Sequence, residues 1–178
     1  MDENLKYIFA NINDWLKFAE AKCAGILALN IAALIGVLQA QPIFTKDIQD
    51  GQGLLLIIFS LSSIITLYSL IPKLNTLVKF YKVLSDLDAE IARRQQNNKP
   101  PLNCIYFGDI ACLTDAMFSM LATSKTIDEN EPLDRLLIHQ IVINAKIAMQ
   151  KYYIFSVASW VTCLGYLFGI VLILFHHF

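Results

Sequence analysis

Polar and apolar positions fall into blocks along this chain. The runs 23–45, 51–72 and 152–178 contain no Asp, Glu, Lys or Arg, whereas the remaining segments mix charge with periodic Leu and Ile. A helix rises about 1.5 Å per residue, so about 20 apolar residues cross a hydrocarbon layer about 30 Å thick. The pattern therefore predicts an all-α membrane protein. Transmembrane helices are expected over 23–41, 54–72 and 152–175, after an amphipathic helix over 1–22. The loop 42–53 and the tail 176–178 lie outside, and 73–151 forms a small helical cytosolic domain between the second and third spans.

Composition agrees. The chain has 178 residues, is 56% hydrophobic and only 16% charged, against roughly 25% charged in soluble domains; its mean hydropathy is +0.53. A net charge of −1 gives no electrostatic footprint for nucleic acid. The 4 cysteines have no metal or redox spacing. The start is not expected to be a signal peptide, because Asp2, Glu3, Asp14 and Glu20 are mixed with Lys6, Lys17 and Lys22.

Orientation follows from the cations. Lys17 and Lys22 precede the first run, Lys73, Lys79 and Lys82 follow the second, and Lys146 and Lys151 precede the third. The first loop carries only Lys46. Cations flanking spans stay in the cytoplasm, so the N-terminus and 73–151 are expected inside.

Local signals refine the elements. Asn4 or Asp2 can cap one long first helix whose Leu5, Ile8, Ile12, Trp15 and Ala19 share a face. That stripe suits either the membrane interface or packing within the cytosolic domain. The helix is expected to end at Pro42. The second span should bend at Pro72 and continue to about Gln96, with Leu74, Leu77, Tyr81, Leu84, Leu87 and Ile91 on one side. Asn97 to Pro101 breaks it. Thr114 reads as an N-cap for a short helix over 115–122, and 126–132 as an acidic loop. Helix resumes at Leu133, with Leu136, Leu137, Ile141 and Ile147 apolar, and enters the third span unbroken.

Small residues recur every three or four positions on two spans: Ala24, Ala28, Ala32 and Gly36 on the first, Ala158, Thr162, Gly165 and Gly169 on the third. They let helix backbones approach closely in lipid. They suit packing within the chain or self-association. Ser62, Thr66 and Ser69 share a face of the second span, and Asn30 is expected to make an interhelical hydrogen bond.

No enzyme constellation is present: HExxH, CxxC, GxSxG and a P-loop lysine are all missing. An enzyme, a metal and a cofactor are therefore not expected. No charge lies within the spans, which argues against a proton relay. Candidate ligand residues lie in the polar middle. Arg93 and Arg94 suit phosphate, or compensate a helix dipole. Gln140, Asn144 and Lys151 share one helix face beside His139, facing either solvent or a pocket.

The segments WLKFAEAKCAGILALNIAALIG, CIYFGDIACLTDAMFSML and DRLLIHQIVINAKIAMQKYYIFSVASW resemble the Pycsar transmembrane effector family of bacterial anti-phage defence. The likeness rests on Glu20 and Lys22 entering the first span, on Tyr106-Phe107-Gly108-Asp109, and on Gln140, Lys151 and Tyr152 leading into the last. Glu20 stands where Asp is more usual. The resemblance implies an effector in the bacterial inner membrane, with its N-terminus in the cytoplasm. It implies activation by a cyclic pyrimidine nucleotide, cyclic CMP or cyclic UMP, bound by the cytosolic domain. Impaired membrane integrity and growth arrest or cell death would follow. Polarity, placement and resemblance together nominate Arg93, Arg94 and Lys151 for phosphate, Tyr106 for the base, and Asp109, His139, Gln140 and Asn144 for sugar or base edges. Three spans are too few to enclose a pore, so self-association is expected. The alternatives are a membrane scaffold recruiting a cytosolic protein partner, and a holin-like toxin that needs no ligand.

Overall fold

The computed structural model describes residues 2–40, 46–71 and 102–177. Among these, every regular element is helical: α1 (Glu3–Gln39), α2 (Lys46–Leu70), α3 (Phe107–Ile110), α4 (Asp115–Thr123) and α5 (Pro132–His177), with a 3₁₀ turn at Ile127–Glu129. Parts of α1, α2 and α5 are long and apolar enough to cross a membrane. The bend at Pro72, the helix to Gln96 and its break at 97–101 lie outside the described residues, as does the expected stop at Pro42. α2 already starts at Lys46, within the segment expected as a loop.

The chain divides into two compact units. The first unit combines Met1–Phe18 with Lys73–Gln150, and the span unit combines Ala19–Pro72 with Lys151–Phe178.

In the first unit, the Asp2 side chain accepts the Asn4 N–H at 2.8 Å and so starts α1. Leu5, Ile8 and Ile12 are buried, and the Trp15 ring lies 5.3 Å from Phe107. The amphipathic stripe of α1 is therefore, from Leu5 to Trp15, a packing face within this unit. From α5 it is Leu137, Ile138, Ile141, Val142, Ala145 and Ala148 that enter the core. Leu133 and Leu136, equally apolar, are exposed. Apolar residues surround this helix, so spacing alone does not choose the buried side. Two polar rungs join α1 to α5: the Asp2 N–H donates to Asp134 Oδ1 at 3.1 Å, and Asn144 Nδ2 to Asn13 Oδ1 at 2.8 Å.

α4 begins where Thr114 Oγ1 accepts the Met117 N–H, and ends at Ser124 with φ 57°. Asn130 ties the following loop back by donating to Ser119 Oγ, at 2.8 Å. The loop is closed by a reciprocal cap in which Glu129 accepts the Thr126 N–H at 2.8 Å. That bond, with a further one from the Thr126 side chain, holds the Glu129 carboxyl below its usual range.

The span unit is organised by a polar knot in an apolar bundle. Asn30 Nδ2 donates to Ser62 Oγ at 2.9 Å, and Thr162 Oγ1 donates to Asn30 Oδ1 at 2.9 Å. Ser62 Oγ donates to the Ala158 carbonyl at 3.0 Å and lies 2.8 Å from Thr162 Oγ1. Asn30 and Ser62 are fully buried and Thr162 nearly so. Where hydrocarbon offers no partner, polar groups must satisfy one another, and this knot joins α1, α2 and α5. The expected hydrogen bond of Asn30 is thus present twice. Ser69 meets Cys23 at 3.4 Å, and Thr66 donates to the Ser62 carbonyl.

The small-residue stripe of α5 serves packing within the chain. A Cβ at Gly165 would lie 3.0 Å from both Ile58 and Phe59 of α2. Gly165→Leu should therefore force α2 and α5 apart and cost about 1–3 kcal/mol, read as a lower melting temperature of the detergent-solubilised protein. An unchanged melting temperature would contradict this packing. By contrast, Ala24, Ala28, Ala32 and Gly36 of α1 are exposed.

Candidate functional site

The expected ligand residues sit on three different supports, and each is held by its own chemistry. Tyr106 N-caps the single turn α3 from an extended conformation, and its side chain is half-exposed. Its ring lies over Gly108, where a Cβ would come within 2.6 Å of it. A side chain at this position would displace that ring. Phe107 beside it is buried, with ring centroids 4.8 Å apart. Alternation across this turn therefore anchors one aromatic ring and presents the next.

Asp109 closes the same segment by accepting the Asn103 N–H at 2.9 Å. Asn103 in turn accepts the Ile105 N–H, and Asn11 of α1 donates to the Ile105 carbonyl at 3.0 Å. The Tyr106 turn is thus fixed to α1 through its backbone. Burial and the negative charge of Asp109 push the Cys104 thiol above its usual value. It is therefore less of a thiolate at neutral pH than an ordinary cysteine.

On α5, His139 Nδ1 lies 2.7 Å from Asp115 Oδ2 at the first residue of α4. Gln140, next along, is exposed. Asn144 is turned to Asn13 rather than to solvent. Lys151 is 9% exposed and donates to Glu20 Oε1 at 2.7 Å. Its pairing belongs to the span unit, in which Lys22 also lies 5.2 Å from the Tyr152 ring centroid and 5.4 Å from that of Phe155.

Asp109, His139, Asn144 and Lys151 thus meet four partners, none of which is another expected ligand residue. Shared helical spacing placed Gln140, Asn144 and Lys151 on one face, but a face broad enough to include all three also includes the contact with α1. Arg93 and Arg94 lie outside the described residues. Sequence reading missed both Asn13 and Asp115 as partners. A signal was present: Asn13 and Glu20 are seven residues apart on α1, as are Asn144 and Lys151 on α5, so the two pairs match rung for rung.

Chemically, the first unit offers an exposed phenol on a fixed turn, an exposed amide at Gln140, and an imidazole held by a carboxylate. Such groups recognise planar rings and hydroxyls. Among the described residues, no three His, Cys, Asp or Glu side chains gather as a metal site.

Compared with known families, residues 4–176 match the sequence model of the Pycsar effector protein domain. No curated protein and no solved structure gave a significant match.

Proposed function

The chain belongs to the Pycsar effector family, membrane effectors of anti-phage defence, and on that premise we propose that a cyclic pyrimidine nucleotide activates it. The nucleotide, cyclic CMP or cyclic UMP, binds the first unit on the cytoplasmic side of the inner membrane. The span unit then impairs the membrane, and the cell stops growing or dies. The observation that carries this reading is the extent of the family match, which takes in the polar middle segment as well as all three candidate spans. α1 and α5 each run without a break from residues of the first unit into residues of the span unit. A ligand with different affinities for two arrangements of the first unit shifts their populations.

Tyr106 and Gln140 are the residues assigned to direct contact, because both are exposed. Tyr106 stacks on the base and Gln140 reads a base or sugar edge. His139 joins them through its free ring nitrogen, and Arg93 and Arg94 meet the phosphate. Asp109 and Asn144 position this surface, and Lys151 holds α5 to α1. Several copies then associate in the membrane, with the exposed Ala24–Ala28–Ala32 stripe of α1 as the surface that permits close approach.

The test is thermal. Ligand at about 100 times its dissociation constant stabilises the bound state by about 2.7 kcal/mol. Cyclic CMP or cyclic UMP should therefore raise the melting temperature of the detergent-solubilised protein, while Tyr106→Ala and Gln140→Ala abolish the rise and keep the unliganded melting temperature. Silence toward every cyclic nucleotide would sink the proposal. Toxicity on simple overexpression would favour a holin-like toxin, and one stoichiometric cytosolic partner without toxicity would favour a scaffold.

A further inference from the structure

We propose that the span unit holds the acyl chain of a membrane lipid between α1 and α5. This rests on the apolar spans and is independent of any nucleotide. Away from the polar knot, toward the Gln39 end of α1, the bundle forms a half-open cavity of about 250 Å³. Gly36 of α1 and Ala40 just after it, Leu55 of α2, and Gly169 and Ile173 of α5 form its walls. The missing side chains create it. A Cβ at Gly36 would meet nothing within 4 Å, and one at Gly169 would come no closer than 3.7 Å to Leu55. One turn earlier, at Gly165, the same helix is in tight contact with α2.

Both ends of the cavity are defined. At one end, Phe59 and Tyr166 pack edge to face with centroids 5.1 Å apart, and the Tyr166 hydroxyl donates to the Leu29 carbonyl at 3.4 Å. At the other, Gln52 Nε2 donates to the Val37 carbonyl at 2.8 Å. Gln52 therefore spends an amide donor on tying α2 to α1.

Size and chemistry choose the occupant. An apolar cavity of roughly 150 Å³ stays dry and accepts benzene. Water would find almost no partners in a larger one walled by Gly, Ala, Leu and Ile. Drug-sized ligands occupy pockets of roughly 300–1,000 Å³ with convergent polar groups, which a nucleotide or a lipid headgroup would also need. A void without occupant forfeits the dispersion contacts of its whole lining. The fluid around these helices is hydrocarbon, and Ile170 and Ile173 beside the cavity are exposed to it. The gap reaches Leu55 and Phe59 of α2, which are 7% and 2% exposed, and an alkyl chain is the apolar group that the surrounding bilayer can supply to it.

The experiment uses the full chain in vesicles of phosphatidylethanolamine and phosphatidylglycerol. A small fraction of the phospholipid carries a diazirine near the end of its acyl chain. After irradiation, adducts are mapped by mass spectrometry. The expected result is labelling of 36–40 and 169–173 several-fold above that of Leu61 and Ile64, which are exposed on α2. Gly36→Phe fills the gap, so it should remove that excess and leave the α2 labelling unchanged. If this variant does not accumulate, Ala33→Leu on the same wall is read in the same way. Even labelling of all exposed apolar positions would overturn the proposal, as would an excess that survives cavity filling. Loss of nucleotide response in the wild-type protein with the labelling excess intact would count against the nucleotide reading alone.

Discussion

Glu20→Ala should lower stability by about 2 kcal/mol, and by more than Lys151→Met does, although the two residues form a single ion pair. The asymmetry comes from exposure. The Lys151 side chain is 11% exposed and that of Glu20 is 49% exposed. Removing the glutamate strands an ammonium in a largely desolvated position, at the point where the charge-free run of α5 begins. Stranding one member of a fully buried pair costs roughly 3–5 kcal/mol, and the half-exposed partner here reduces that because water already screens it. Removing the lysine leaves a carboxylate that rehydrates. Methionine also keeps the apolar stem that Lys151 packs. The double variant should recover most of the loss, since neither charge then remains. Melting temperatures of the four proteins in one detergent test this: equal losses for the two single variants, or no recovery in the double, would show that burial does not govern the pair.

Asn30→Ala should cost about 1–3 kcal/mol, and more than Thr162→Val. Interhelical hydrogen bonds in membranes average about 0.6 kcal/mol and reach about 1.7, and Asn30 makes two of them across three helices. Truncation also leaves a void in a fully buried position. The loss is bounded because Ser62 and Thr162 already stand 2.8 Å apart. Each hydroxyl now spends its hydrogen elsewhere, Ser62 on the Ala158 carbonyl and Thr162 on Asn30. Without Asn30, the Thr162 hydrogen is released to Ser62. Valine at 162 removes one donor and keeps the shape. Equilibrium unfolding in mixed micelles measures both; a Thr162→Val loss as large as that of Asn30→Ala would place the weight of the knot on α5 instead.

Much of this architecture is legible in the residues because the bilayer imposes a coarse rule. Charge-free runs of sufficient length announce the spans, and Thr114 announces α4 through the oxygen that its helix start requires. Asn30 could be recognised because a lone amide in hydrocarbon needs a partner. Which partner it takes is not local information, since Ser62 and Thr162 lie 32 and 132 positions away. The candidate site was less legible for the same reason. Asp109, Asn144 and Lys151 look like available polar groups until Asn103, Asn13 and Glu20 are brought to them by packing. Of the apolar positions expected at the start of α5, Leu137 and Ile141 enter the first unit while Leu133 and Leu136 stay exposed, because leucine and isoleucine lie all around that helix. Gly108 could be read only once the Tyr106 ring was seen lying over it.

Within the span unit, Glu20 meets Lys151 and Asn30 meets Thr162, at separations of 131 and 132 residues. α1 and α5 therefore run side by side in the same direction, keyed at two levels like a vernier. A slip by one helical turn, four residues, would set Glu20 against Ile147 or Phe155 and Asn30 against Ala158 or Tyr166. Neither Ile147 nor Phe155 offers a cation to the carboxylate; Ala158 has no hydroxyl, and that of Tyr166 is already committed to the Leu29 carbonyl. Piston-like travel between these two helices is thus opposed at both levels. Rocking about the knot, with the teeth still engaged, remains the cheaper coordinate for any rearrangement of these two helices.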